Sequence, residues 1–289
     1  MKKLHISFFT LALLVVFVSC KSKSEEIKKL PSKIIYYYFG DDSTLIWDLN
    51  EFFYDEQNRL IKVTKKGQGY YWVDEDLHFT GTNCYPDDTL SIIYNSDGLP
   101  VKLVIGLYDY EIAYFDNGKK IVILDDDTTY FNRDTLWLND KGQVVKSYDN
   151  IGHLWEHTYN SKGNIKEQRL LGQWVDEYRQ YHDYEIKHKI TYSRIHPIFR
   201  HVNTPEWILF WLSELWLNNS PYFHPFEKNG YLPIKKIWFD PDGEWKSLKF
   251  IYELNTDNYV IKTKVQEIWK GFPDDISEEN WEYEYILAK

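Results

Sequence analysis

A short turn unit recurs along this chain and restricts its fold more than any other feature. Its form is an aromatic or aliphatic residue, then Asp or Asn, two variable residues, Gly or Asn, and the apolar-polar start of a strand. Tyr54-Asp55 with Asn58, Tyr94-Asn95 with Gly98, Phe115-Asp116 with Gly118 and Leu138-Asn139 with Gly142 are the early copies. Tyr148-Asp149 with Gly152, Tyr159-Asn160 with Gly163, Phe239-Asp240 with Gly243 and Leu254-Asn255 with Asn258 follow. Asp or Asn opens such a turn by bonding nearby backbone, and Gly or Asn accepts the positive φ that closes a short hairpin loop. Copies starting at 138, 148 and 159 bring a turn every 10 or 11 residues, which is one strand plus one turn.

Between turns the pattern has period two. Ile186, His188, Ile190 and Tyr192 alternate with Lys187, Lys189 and Thr191, and Leu248, Phe250, Tyr252 and Leu254 with Lys249 and Glu253. Trp281, Tyr283 and Tyr285 alternate with Glu282 and Glu284 near the end. Alternation buries one face and wets the other. The expected fold is mainly β, a long repetitive antiparallel meander of short hairpins, either an open curved sheet or a sheet closing on itself.

Residues 203–219 break that period. Thr204 can cap a helix, Pro205 suits its first position, Glu206 complements its N-terminal dipole, and TPEWILFWLSELWLNNS keeps helical spacing to Asn218-Asn219. The expectation is one apolar helix at about 204–218, inserted into a single repetitive β domain over 32–289. Ile208, Leu209, Leu212, Leu215 and Trp216 share one face, while Trp207, Phe210, Trp211 and Leu217 spill onto the other beside Glu206, Ser213, Glu214 and Asn218. A helix this apolar is either buried on most sides or offers its rings to a partner, and burial across the sheet is the simpler reading.

The N-terminus carries a separate message. Lys2-Lys3, an apolar run from Leu4 and the small residue Ser19 have the architecture of a secretory signal. Ile6 to Val18 is too short to span a bilayer, and Phe17-Val18-Ser19-Cys20 resembles a lipobox. The expected organisation is a signal peptide over 1–19, a lipid-modified Cys20, and a charged tether over 20–31 ending at Pro31. Loss of Lys2 and Lys3 leaves 32 of the 34 basic side chains against 44 acidic ones, formally −12. An acidic domain repels nucleic acid and, taken as a whole, anionic lipid. Cys84 has no partner once Cys20 is acylated, so stability rests on burial rather than on an internal disulfide.

With the lipobox, the repeated Tyr-Asp-x-x-Gly-x-Leu unit resembles the YD-repeat-type lipoproteins of Bacteroidetes-type bacteria, a group of unknown function sometimes labelled porin-like. The closest copies are FFYDEQNRLIKV, IIYNSDGLPVKL and HTYNSKGNIKEQ, with NGYLPIKKI and FIYELNTDNYVIKTKV resembling the way such chains finish. The resemblance spans most of 33–289, implies a repetitive β architecture at the outer membrane, and supplies no catalytic residues. Glu25-Glu26 resembles the export tag that sends some such lipoproteins to the outer face of the outer membrane. A membrane-spanning barrel needs strands of about 9–11 residues with apolar outward faces. Strands here carry Lys, Glu and Asp on the alternate face, which favours a soluble, anchored sheet over a pore.

Familiar chemistry is scarce. Asp125-Asp126-Asp127 lacks the Gly and the terminal Glu of a calcium loop, and Asp240-Pro241-Asp242-Gly243 is explained as a hairpin turn by its place in the repeat. His182, His188, His196 and His201 include no zinc-protease spacing, and no nucleophile elbow, phosphate loop or dinucleotide fingerprint occurs. No cofactor or metal is expected. Aromatics are the abundant resource: 24 Tyr, 16 Phe and 12 Trp make 18% of the chain, enough to furnish both a wide sheet and a ligand surface. Candidate ligand residues are Trp72 beside Tyr70 and Tyr71, Trp174 with Tyr178, and Trp207 with Trp211, since sugar rings stack on such side chains. Each also has a reading as packing. The expected role is a non-catalytic, outer-membrane lipoprotein binding a polysaccharide or an envelope protein, held to the membrane by its N-terminal lipid and binding no nucleic acid. A polysaccharide-acting hydrolase and a structural or immunity-type partner protein are the alternatives. Cys20→Ala is expected to shift the protein out of the membrane fraction or block its processing, with palmitate labelling lost; unchanged labelling would refute the lipobox.

Overall fold

The computed structural model describes residues 27–39, 45–67, 70–73, 76–79, 89–125, 133–148, 153–175, 181–213, 228–240 and 243–289. Its strands are β1 (Lys29–Phe39), β2 (Leu45–Tyr54), β3 (Leu60–Gly67), β4 (Tyr70–Val73), β5 (Asp76–Phe79), β6 (Thr89–Tyr94), β7 (Pro100–Ile105), β8 (Tyr108–Phe115) and β9 (Lys120–Asp125). They continue with β10 (Arg133–Leu138), β11 (Val144–Tyr148), β12 (Leu154–Tyr159), β13 (Ile165–Val175), β14 (Tyr181–Tyr192), β15 (Pro233–Asp240), β16 (Gly243–Leu254), β17 (Val260–Trp269) and β18 (Phe272–Leu287). One α-helix, α1 (Glu206–Trp211), lies between β14 and β15. Among the described residues sixteen strands close into one antiparallel barrel in chain order, β1 pairing with β18, while β4 and β5 form a separate hairpin between β3 and β6. The expected meander is therefore present, and it closes on itself. β1 takes in Lys29, Leu30 and Pro31, so the strand starts before residue 32.

The repeat turns at Asp55, Asn95, Asp116, Asn139, Asn160 and Asn255 fall at one end of the barrel, here called the floor. Five share one geometry. The side-chain oxygens of Asp55, Asn95, Asn139, Asn160 and Asn255 each accept two backbone N–H bonds, from the residues two and four positions on, at 2.9–3.2 Å. The fourth turn residue takes a positive φ, from 59° at Asn58 to 86° at Gly163, which is why Gly or Asn recurs there. At the opposite end Asp240 pairs directly with Gly243, the hairpin that explains this acidic stretch without a calcium loop.

Five of the floor copies also carry a bulge. Tyr54 pairs with Leu60, Tyr94 with Pro100 and Tyr159 with Ile165, the following residue of the second strand being skipped. The ladder is interrupted there, and the carbonyl of the strand-opening residue finds its partner elsewhere, in a tyrosine hydroxyl from the next copy. Tyr54 donates to Pro31 O, Tyr94 to Leu60 O, Tyr114 to Pro100 O, Tyr159 to Val144 O, Tyr192 to Ile165 O, Tyr252 to Pro233 O and Tyr285 to Val260 O, at 2.5–2.8 Å. The strand openers themselves point inward and are buried, Leu60 and Val144 almost completely.

Inward rows are apolar toward the floor: Ile34, Tyr36, Phe52, Val63, Ile92, Ile123, Leu136, Phe250, Val265, Trp281 and Tyr283 are buried in one core. The outward rows carry ion pairs such as Lys33–Glu284, Lys66–Glu51, Lys264–Glu278 and Arg169 with Glu156 and Glu185. A wall facing hydrocarbon could not carry these cheaply, so the barrel wall is a water-facing surface around an apolar interior. Leu254 departs from the inward row expected for it and is substantially exposed, because it ends its strand at the floor where the register shifts.

The segment between β14 and β15 fills the floor. Ile198, Phe199, Val202, Trp207, Ile208, Leu209, Trp211, Leu212 and Leu232 all join the core. The expected helix over 204–218 is corrected in its extent: the α-helix covers Glu206–Trp211, and residues 214–227 lie outside the described ones. Thr204 does not cap it. Its hydroxyl accepts the backbone N–H of Leu60 at 2.7 Å and lies 3.3 Å from the Tyr94 hydroxyl, docking the insertion onto the repeat ring. Burial of nearly every helical side chain is the outcome expected of an all-apolar helix.

Tyr94→Phe is expected to destabilise the protein by about 1 kcal/mol, the net worth of a buried hydrogen bond, measured by urea unfolding. Tyr148→Phe, an exposed tyrosine at the far end of β11, is expected to change stability by less than about 0.5 kcal/mol.

Candidate functional site

Above the plug, the inner wall changes character. Alternation on β12 to β17 would ordinarily continue the apolar rows, but Trp155, His157, Gln168, His188, Lys236, Trp238, Lys246 and Glu267 occupy the inward register positions instead. His157, Gln168, His188, Lys236, Trp238 and Lys246 are each at most 5% exposed. Rings organise the cluster. Trp155 stacks on His157 with centroids 6.5 Å apart and planes at 7°, His188 lies 5.5 Å from Trp155 and 5.0 Å from Trp238, and His157 meets Phe210 of α1 edge-on at 5.0 Å.

Charges sit on those rings. The Lys236 ammonium is 5.0 Å from the Trp238 centroid, and the Lys246 ammonium is 5.6 Å from Trp238 and 4.7 Å from Trp269. Lys246 is ion-paired with Glu267 at 2.7 Å. Taking ammonium groups out of water costs several kcal/mol each unless ion pairs, hydrogen bonds and ring faces replace the water, so two buried lysines on one wall mark a place where packing alone did not choose the residues.

His157 is held neutral. Burial, and secondarily the Lys236 charge, push its pKa down to about 3. Gln168 Nε2 donates to His157 Nδ1 at 3.4 Å, which fixes the proton on Nε2, and that N–H meets no acceptor in the structure. The wall thus presents donors, from Lys236, Lys246 and His157, interleaved with indole faces. This combination suits a polar ligand rich in acceptor oxygens. Among the described residues no group of three or more His, Cys, Asp or Glu side chains is placed to hold a metal ion.

The sequence candidates are distributed differently. Trp207 and Trp211 are core residues of the plug, 4% and 3% exposed, and the Trp211 indole N–H donates to Asp134 at 2.9 Å. Trp174 stands opposite His182 near the far end of β13, and Trp72 opposite Leu77 in the separate hairpin. Tyr178 and Cys20 lie outside the described residues. Of the four clustered histidines, His188 belongs to the inner wall, and His201 accepts a bond from Arg200 near the floor. His157, Gln168, Lys236 and Lys246 escaped notice. A signal existed in Lys246, which heads the row Leu248, Phe250, Tyr252 and is the one charge on an apolar face.

No family model matches the chain, and no curated protein matches it. Among solved structures, a porin-like protein from Bacteroides uniformis matches at 16% identity over 89% of this chain and 98% of that one, with a TM-score of 0.42. A domain from Vibrio parahaemolyticus described as an outer membrane lipoprotein-sorting protein matches at 9% identity over 96% and 92%, with a TM-score of 0.22. The Tc holotoxin pore of Photorhabdus luminescens matches at 10% identity over 80% of this chain and 14% of that one, with a TM-score of 0.26.

The neutral His157 makes stability depend on pH. Its folded pKa of about 3 lies below the unfolded 6.5, so the unfolded chain binds more protons between those values. Stability from this group is complete above pH 6.5 and falls as pH drops toward 3, by up to about 1.4 kcal/mol per pH unit. His157→Gln is expected to flatten urea-midpoint against pH over that window; an unchanged slope would show that the imidazole is not buried neutral.

Proposed function

We propose that the protein is a non-catalytic, lipid-anchored envelope protein whose barrel interior binds a glycan on the inner wall of β12 to β17. The observation that carries this reading is the cluster of buried lysines, neutral histidine and indole rings above an otherwise apolar plug. Indole faces stack on the C–H faces of sugar rings, and ammonium, imidazole and amide donors satisfy hydroxyl and carboxylate oxygens. The lipobox at Cys20 and the acidic, nucleic-acid-repelling composition support the envelope location.

A non-enzymatic role is favoured by the state of the carboxylate in the cluster. Glu267 is held in an ion pair with Lys246 at 2.7 Å, which occupies the carboxylate rather than leaving it aimed at a substrate oxygen. The test is binding of the purified protein to an immobilised polysaccharide panel, read in parallel by tryptophan fluorescence. Saturable binding is expected, reduced at least about tenfold by Trp238→Ala, the loss expected when a stacked ring is removed, and left intact by Phe53→Ser on the outer wall. Silence across the panel with the fold intact would make the cluster a structural feature of the barrel.

A further inference from the structure

Exposed apolar side chains are not spread evenly over the outer wall. Phe53, Ile93, Phe115, Ile251, Ile286 and Leu287 are 41–68% exposed, and all lie within a few residues of the floor. They occupy an arc running through β16, β17, β18, β1, β2, β3, β6, β7 and β8. Among the described residues β9 to β14 present no large exposed apolar side chain at this end. The arc has β1 near its middle, and there the chain emerges: Ala288 N–H bonds Lys28 O, and Ile27, itself 55% exposed, accepts the Tyr259 hydroxyl.

Where the chain emerges fixes what can lie beneath this rim. Six residues lie between Cys20 and Ile27, and the seven steps reach at most about 25 Å. A lipid on Cys20 therefore holds the floor, not the far end, against the bilayer. Charge agrees with that polarity. The acids of the floor turns are neutralised in pairs, Asp55 by Arg59, Glu56 by Lys289, Asp257 by Lys29 and Asp140 by Lys119, at 2.5–2.7 Å. Apolar residues are exposed at the far end too, Leu107, Tyr108, Tyr148, Trp269, Phe272 and Ile276 among them, so it is the exit of the chain at Ile27 that selects the floor. Lysines flank the floor rings, Lys62 at 5.7 Å from Phe53 and Lys120 at 5.8 Å from Phe115, with long stems able to lie along a headgroup layer.

We infer that the apolar floor rim is a membrane-docking surface, seated at the headgroup boundary of the bilayer that holds the acyl chain. The inference rests on the anchored reading of Cys20 for its geometry, yet the rim itself can be tested without the lipid. A single acyl chain binds a membrane only marginally, and a second weak contact makes anchoring stable. Insertion of several half-exposed apolar side chains supplies such a contact.

The test uses the processed chain from residue 20 onward carrying Cys20→Ser, free of the apolar signal run, mixed with phosphatidylcholine vesicles and pelleted. Vesicle partition is expected, falling about tenfold in Phe53→Ser/Ile93→Ser/Ile251→Ser, a variant whose unfolding midpoint controls for folding. A depth probe on the acylated protein is the second measurement, with a dye at Phe53→Cys or Tyr108→Cys in a Cys84→Ser background. Quenching by lipid-borne nitroxide is expected at position 53 and not at 108. Equal partition of parent and triple variant, or quenching at 108 instead, would overturn the docking surface. So would a concentration-dependent dimer that the triple variant abolishes without any change in partition, since the rim would then join two copies. Absence of acyl label on wild-type Cys20, with the partition difference intact, would instead remove the anchor and leave the rim standing.

Discussion

The barrel depends on a hydrogen bond between a tyrosine hydroxyl and a carbonyl that its own strand cannot satisfy. Five of the floor turns end in a bulge, and a bulge in a closed sheet leaves backbone acceptors facing a dry interior. Seven tyrosines cure this by reaching back to the carbonyl that opened the previous pair of strands. Each bond is worth about 1 kcal/mol net, but an abandoned buried carbonyl would cost about 1–3 kcal/mol. Phenylalanine could fill the same volume and would leave the acceptor orphaned. Burial keeps the hydroxyls protonated, pushing Tyr94 up to about 12 and Tyr54, Tyr114 and Tyr285 above the ordinary range. The ring ties each turn to its neighbour and fixes the register of the whole wall from one end.

Closure with sixteen strands creates a second demand. Eight strands enclose an interior that wall side chains can fill, whereas sixteen leave a wide lumen. An apolar lumen of that width must be filled by chain, and the only long connection at the floor among the described elements, between β14 and β15, supplies it. This explains the composition of the insertion. Trp207, Ile208, Leu209, Trp211 and Leu212 have wall on every side, so an amphipathic stripe would have left polar atoms buried. Phe199 packs edge-on against Phe52 at 5.4 Å and Trp207 against Tyr114 at 6.2 Å, so the plug grips the same strands that the tyrosine ring aligns.

What could be read from the sequence was what is local. Asp or Asn at the head of a turn and Gly or Asn three residues later act within five residues, and the structure repeats that geometry at Asp55, Asn95, Asn139, Asn160 and Asn255. Alternation placed Leu248, Phe250, Trp281 and Tyr283 inside correctly because side-chain direction has period two. Closure was not legible, since pairing of Lys29 with Leu287 joins residues at opposite ends of the chain. Thr204 was misread for a related reason. As a local cap it would have bonded its own helix, but a buried backbone N–H at Leu60 outbid that use. The inner-wall cluster comes from six strands whose relative heights along the barrel follow from bulges, and a one-residue slip would have turned Lys236 or His157 outward.

The two ends of the molecule are thus chemically unlike for one underlying reason. Repeat turns must be short and self-bonded, which leaves them few charges and pairs most of those they have, as at Asp55–Arg59 and Lys119–Asp140. At the far end, where described, the strands are joined by tighter hairpins, Ile105 pairing with Tyr108 and Trp269 with Phe272 across two residues. Between them, the interior passes from apolar plug to donor-rich wall at the level where Phe210 meets His157. Under the proposed anchoring, a tether leaving from the floor would set the far end away from the lipid surface. On the proposed glycan reading, the chain's formal charge of −10 favours a ligand whose oxygens are mostly neutral over a polyanion, which that net charge would repel before it reached Lys236 and Lys246. The lysines, held against Trp238, would then act as hydrogen-bond donors rather than as a sink for net charge.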